Sequence, residues 1–290
     1  MGNTCCKEST DEAANDAQPG IISNLGLNFS LDDWRDFHEQ GSIQNNQLEL
    51  ENHATNLKKI KSFPKCLSRA VFICCNTYSN SDYLLGVGPM NDAIAVAAYM
   101  TKIGFNTYFL HNPRSTEFLK YFNDFIQKTT EYLVIYYIGH SSSINKKNED
   151  ETIIKDEVLI FDDNSLSDYE MISAINSSKK LESTKICFIS DCCHSGSIYD
   201  LNVYQSLKIK IPPNVISFSS IRDSNTPKKT SIGGTDQGIL TFFFYKLLAR
   251  DESMTPRKLE SQISHYLERF QQKFIVCSTT DSLLDEAIFK

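Results

Sequence analysis

The 290-residue chain has no apolar run approaching the roughly 18 residues that a membrane helix requires; the longest, Ala93 to Met100, is about half that. It has no excess of positive charge. Against 36 Asp and Glu stand 29 Lys and Arg, a formal net charge of −7, so the broad positive field of a nucleic-acid binder is missing. No Cys-x2-Cys pair occurs, which removes the usual spacing of a structural zinc site. No secretory-type apolar segment opens the sequence, and no internal repeat is visible. With 41% hydrophobic and 22% charged residues, disorder is excluded for most of the chain. The expectation is a soluble, monomeric protein with no nucleic-acid partner and no organic cofactor.

What the sequence does have is nine cysteines: Cys5, Cys6, Cys66, Cys74, Cys75, Cys187, Cys192, Cys193 and Cys277. Their number is odd, and three adjacent pairs are poor disulfide geometry, since neighbours rarely reach one another. Reduced thiols in a cytoplasmic setting are therefore expected.

Residues 1–68 are polar and weakly periodic and read as an N-terminal extension, with short helices expected at 31–37 and 45–57. Lys58, Lys59, Lys61, Lys65 and Arg69 form a basic stretch that reads as a solvated linker. Residues 69–290 read as one domain. Apolar strand-like runs at 69–75, 105–110, 131–138, 158–161, 184–190, 214–218 and 274–278 alternate with helix-like segments at 91–104, 115–128, 167–176, 237–250 and 255–271. Residues 139–157 and 219–235 read as loops. Such alternation implies an α/β fold with a mainly parallel sheet and helices on both faces. In such sheets, sites gather beyond the carboxyl ends of the strands.

Two strand ends carry chemistry. One reads Ile138-Gly139-His140-Ser141, the other Asp191-Cys192-Cys193-His194-Ser195-Gly196. A thiol becomes a useful nucleophile at neutral pH when a base or positive neighbour stands beside it, and imidazole is the usual partner. Strand-end backbone amides can bind an oxyanion, which completes an acyl-transfer site. Cys74, Cys75, Cys187 and Cys277 fall in expected strands and read as core residues, as does Cys192. A phosphatase-type Cys-x5-Arg loop fails because Tyr199 stands where Arg is needed.

The hexapeptide Asp191–Gly196, with Gly139-His140 upstream and Gly88-Pro89-Met90-Asn91-Asp92-Ala93 after the first strand, resembles the metacaspases. These are caspase-fold cysteine peptidases that cleave after Arg or Lys, many of them calcium-dependent. The resemblance covers about residues 69–280 and implies a caspase-like three-layer sandwich. It implies Cys193 as nucleophile and His140 as general base and then acid. The backbone amides of Ser141 and Cys193 would form the oxyanion hole. Asp92 and Asp191, with Ile138 on the wall, would line the S1 pocket that accepts a basic P1 side chain of a peptide or protein substrate. For calcium it implies Asp156, Asp168 and Asp200, with Tyr169 standing where a further acid is common. Two departures bear on activity. Ser141 replaces the Gly that usually follows the histidine, a steric cost if the backbone there needs positive φ, and Ile138 replaces a Ser. They motivate an alternative, a pseudopeptidase serving as a membrane-attached binding protein. Gly2 with Cys5 and Cys6 resembles a dual-acylation signal, myristate and palmitate, that would hold the protein at the inner face of a membrane.

Overall fold

A strand buried on both faces needs apolar side chains at every position, not at alternate ones. Residues 70–75, 133–138 and 186–189 meet that requirement, and each of them is essentially inaccessible to solvent. They are the centre of a seven-stranded sheet. The computed structural model describes residues 42–147, 153–178, 183–192, 201, 211–222, 231–232 and 235–290.

In chain order the first strands are β1 (Thr55–Asn56), β2 (Leu67–Cys75), β3 (Asn106–His111) and β4 (Thr129–Gly139). β5 (Ser141–Lys147), β6 (Ile153–Ile160) and β7 (Ser165–Ser167) form a separate three-stranded antiparallel sheet. β8 (Lys185–Cys192) and β9 (Val215–Arg222) follow, then the two-residue β10 (Ser231–Ile232) and β11 (Thr235–Asp236), and finally β12 (Gln272–Ser278). The main sheet has the order β1-β3-β2-β4-β8-β9-β12. All its neighbours are parallel except β9 and β12. The order reverses between β2 and β4, and the carboxyl ends there border the crevice where such sheets place their sites.

One face of the sheet is covered by α1 (Ile43–His53), α2 (Gly88–Lys102), α5 (Ile239–Arg250) and α6 (Pro256–Leu267). The other is covered by α3 (Ser115–Lys128) and α4 (Asp168–Ser177). The expected three-layer α/β sandwich with a mainly parallel sheet is thus observed. α3 buries Phe118, Phe122, Phe125 and Ile126, the stripe that a 3.6-residue period predicts. α2 is buried nearly all round because it lies under α1 and α5 as well as on the sheet. Among the described residues, no helix is long and apolar enough to cross a membrane.

Two segments depart from the sequence expectation. The loop expected at 139–157 is largely a hairpin, β5 against β6. Its first strand, Ser-Ser-Ser-Ile-Asn-Lys-Lys, carries almost no apolar signal, so backbone pairing with β6 defines it, not burial of side chains. The loop expected at 219–235 does not start at 219, because Ser219 to Arg222 pair with Gln272 to Ile275 of β12. From residue 43 the segment read as an extension is part of the folded unit. Leu50 of α1 is fully buried, Asn46 Nδ2 donates to Asn91 Oδ1 at 2.7 Å, and β1 pairs with β3. The helix expected at 31–37 lies outside the described residues. Leu50→Ala should therefore lower stability by about 2–5 kcal/mol, as for other fully buried leucines. Urea unfolding of the full chain measures this, and a loss below about 0.5 kcal/mol would mean that α1 is not docked.

Candidate active site at the carboxyl edge of the sheet

β4 and β8 are paired in register from Tyr132↔Lys185 to Ile138↔Asp191 and Gly139↔Cys192. His140 thus emerges at the carboxyl end of β4. Its ring Nε2 lies 2.9 Å from the carbonyl oxygen of Tyr83 in the β2–α2 connection. A carbonyl only accepts, so Nε2 carries the proton, and in the neutral ring Nδ1 carries the lone pair. The imidazole stacks on Tyr78, with centroids 5.0 Å apart and planes 30° apart, and Tyr83 flanks it at 5.7 Å. The fold thus fixes the orientation of this imidazole and the tautomer of its neutral form. Gly139 is required beside it. A Cβ there would sit 2.6 Å from Tyr78 Oη and 2.8 Å from Tyr137 Oη, closer than any side chain tolerates.

Asp191 lies on the same sheet face as Ile138, its register partner, and this face carries α2 and α5. Asp191 Oδ2 accepts from Thr241 N–H at 2.9 Å and Thr241 Oγ1 at 2.6 Å. Tyr136 Oη in turn bonds Thr241 Oγ1. The N-terminus of α5, where unpaired amides and the helix dipole favour an anion, thus faces this carboxylate. Asp92, from the first turns of α2, accepts from Gly238 N–H at 2.7 Å. Its other oxygen, Oδ1, is buried with no hydrogen-bond partner among the described residues. Burial, and then the neighbouring Asp191, hold the Asp92 carboxyl well above the ordinary range. Gly238 lies between the two acids. A Cβ on it would sit 2.1 Å from Asp191 Oδ2 and 3.0 Å from Asp92 Oδ2, so no side chain fits. Two buried acidic side chains thus converge beside Gly238.

A caspase domain model matches residues 67–285, three-quarters of the chain. The chain belongs to the caspase domain family. A caspase domain supports cysteine-type peptidase activity in general. Solved structures agree on the fold. Protein GSU0716 from Geobacter sulfurreducens is similar at 14% identity over 77% of this chain and 98% of its own, with a TM-score of 0.56. The pro-sf-caspase-1 structure is similar at 11% identity over 74% and 93%, TM-score 0.53. Caspase-1 from Spodoptera frugiperda is similar at 11% over 76% and 91%, TM-score 0.51. No curated protein sequence matches.

The structure brings His140, Ile138, Asp191 and Asp92 to one edge of the caspase domain. Ser141 opens β5. Ile160 N–H donates to the His140 carbonyl at 3.0 Å, so residue 140 faces β6, and by strand alternation the Ser141 amide faces away from it. Among the described non-glycine residues, positive φ occurs only at Tyr78, Asn112 and Gln271, so Ser141 carries no left-handed strain. Cys192 is buried, as are Cys74, Cys75, Cys187 and Cys277. Burial pushes the thiols of Cys75 and Cys187 up to about 12, which makes them inert core groups. Cys193 follows Cys192 in the chain and lies outside the described residues, as do Asp200 and the acylation candidates Gly2, Cys5 and Cys6.

Asp156 on β6 and Asp168 at the start of α4 are both buried. Among the described residues, no group of three or more His, Cys, Asp or Glu side chains gathers as a metal site would. Asp156 and Asp168 alone do not complete a calcium site. Tyr83, Tyr78, Gly238 and Thr241 escaped the sequence reading. Tyr83 acts through a backbone carbonyl, which has no residue signature, and Gly238 falls in the first turn of the expected helix 237–250 with nothing to mark the acids beside it.

The raised Asp92 carboxyl has a thermodynamic sign. A carboxyl that holds its proton more tightly folded than unfolded costs stability as pH climbs from its ordinary value near 4 to its raised value. Asp92→Asn keeps an acceptor for Gly238 and removes that cost. The variant should therefore gain on the wild type as pH rises from about 4 to 8, by on the order of 1 kcal/mol or roughly 2–4 °C in Tm. Thermal melts across that range would show a constant gap instead if Asp92 were not desolvated.

Proposed function

We propose that this caspase domain is a metacaspase-type cysteine endopeptidase that cuts peptide and protein chains after Arg or Lys. The observation that carries the reading is the pair Gly139↔Cys192, since His140 and Cys193 are the residues that follow these two in the sequence. His140 Nδ1 takes the proton of the Cys193 thiol, and the sulfur attacks the scissile carbonyl carbon. The backbone amides of Ser141 and Cys193 receive the negative charge that develops on the carbonyl oxygen. The imidazolium then gives its proton to the departing amine, the C–N bond breaks and a thioester remains. Water, losing a proton to His140, attacks the thioester and releases the carboxylate and the thiol.

The basic P1 group is held by Asp92 and Asp191. The reading is supported by the orphaned Asp92 Oδ1 and by the two carboxylates converging beside Gly238. Ile138, next to Asp191 in the ladder, gives the pocket an apolar wall against the P1 methylenes. The binding-protein alternative rested on Ser141 and Ile138. The first carries no backbone strain, and the second leaves both acids in place.

Two measurements test the reading. Cys193→Ala should reduce kcat toward Arg- and Lys-containing peptides by at least about 10³-fold, and undiminished cleavage would sink the assignment. Asp191→Asn should lower kcat/KM for an Arg substrate by roughly 10- to 100-fold, with a much smaller effect on a neutral isostere. Equal losses on both substrates would remove Asp191 from P1 recognition.

A further inference from the structure

A regular antiparallel pair facing across a ladder exchanges two backbone hydrogen bonds. Between His140 and Ile160 one of them is direct, Ile160 N–H to the His140 carbonyl at 3.0 Å. The other is interrupted by a phenol. His140 N–H donates to Tyr78 Oη at 2.6 Å, and that hydroxyl donates to the Ile160 carbonyl at 3.0 Å. Tyr137 Oη stands 3.3 Å from Tyr78 Oη and donates toward the carbonyls of His140 and Ile160, at 2.8 and 2.7 Å. The hydroxyl of Tyr78 is thus a wedge between β6 and the chain leaving β4, at the residue that carries the imidazole. The β5–β6 ladder begins only one residue later, at Ser141↔Leu159.

The turn that delivers this wedge is held by two other connections. Tyr78 has φ 60, an unfavourable conformation for a bulky residue. Asn112, after β3, imposes it. Asn112 Oδ1 accepts the amides of both Thr77 and Tyr78, at 2.8 and 3.1 Å. The next two amides, Ser79 and Asn80, donate to the Asp162 carboxylate, at 3.0 and 3.4 Å to Oδ1. Four consecutive N–H groups therefore have acceptors on two separate loops. A strained φ held this firmly marks a place where the fold overrides local preference for a purpose. Asn112 is itself anchored, since Lys58 Nζ donates to its carbonyl at 3.1 Å and to that of His111 at 2.8 Å.

We propose that Tyr78 is a positioning residue for His140. Its hydroxyl keeps the ladder open at His140 and its ring backs the imidazole, so that Nε2 stays on the Tyr83 carbonyl and Nδ1 faces the reacting groups. Without the hydroxyl, His140 N–H would close directly on the Ile160 carbonyl, moving the histidine toward β6 and off Tyr83. The inference rests on the proposed role of His140 and adds the device that orients it.

The test uses the full chain. Tyr78→Phe keeps the stacked ring and removes the wedge, and kcat should fall by roughly 10- to 100-fold with KM within about twofold. The imidazole tautomer gives a readout independent of turnover. In a Cys193→Ala background, nitrogen NMR of His140 should show the Nε2–H form, and adding Tyr78→Phe should mix the two forms. Asn112→Gly is the second variant. Glycine tolerates the φ of 42 at that position but lacks Oδ1, so it loosens the turn without touching the wedge. It should shift kcat and the tautomer in the same direction by a smaller factor. A folded Tyr78→Phe protein with wild-type kcat and an unmixed tautomer would overturn the proposal. If that variant does not fold, wild-type values in Asn112→Gly overturn it instead. Loss of the peptidase reading would appear separately, as cleavage that survives Cys193→Ala or is absent from the wild type, and the tautomer would still decide the role of Tyr78.

Discussion

The register between β4 and β8 is the constraint on which the rest depends. Side chains alternate along a strand, so a slip of one residue would exchange the two faces at every position. It would turn Asp191 away from α2 and α5 and bring Cys192 to their side. Tyr136, Ile138 and Ile189 pack into the core beneath the helices that supply Asp92, Gly238 and Thr241. Burial of these large apolar groups, each contributing about 1.5–3 kcal/mol, therefore holds the polar site in alignment. The candidate site lies at the carboxyl end of a hydrophobic ladder.

At that end, backbone groups do much of the work that sequence motifs do not advertise. The Tyr83 carbonyl sets the histidine tautomer. The amide of Gly238 contacts Asp92, and that of Thr241 contacts Asp191. A glycine flanks each cluster for a steric reason: Gly139 is crowded by two phenols and Gly238 by two carboxylates. Neither glycine needs an unusual φ. Each is there because a Cβ would occupy space already filled by functional groups.

This explains what could be seen in the sequence and what could not. α3 was legible because its phenylalanines recur at helical spacing, and β2, β4 and β8 because they are apolar at every position. β5 was not, since three serines and two lysines form a strand only through the partner opposite them. α1 was placed within a few residues by its pattern. Its docking onto α2 depends on Leu50 and on a buried Asn46–Asn91 bond that no local periodicity announces. His140, Asp92 and Asp191 were legible as reactive residues at strand ends or in a recognisable motif. Tyr78 carries no such signal, because its place is set by Asn112 and Asp162, which are distant in sequence.

The orphaned oxygen of Asp92 has a consequence for discrimination between ligands. A carboxyl buried beside a second one ionises only against strain, and so keeps its proton to a raised pH. A guanidinium or ammonium group entering the pocket would both gain two partners and discharge that tension, displacing a proton from Asp92 as it binds. A neutral side chain of the same shape would discharge nothing. On the proposed reading, selectivity for a basic residue is stored in the unliganded pocket as frustration, and the substrate with the right charge is the one that relieves it.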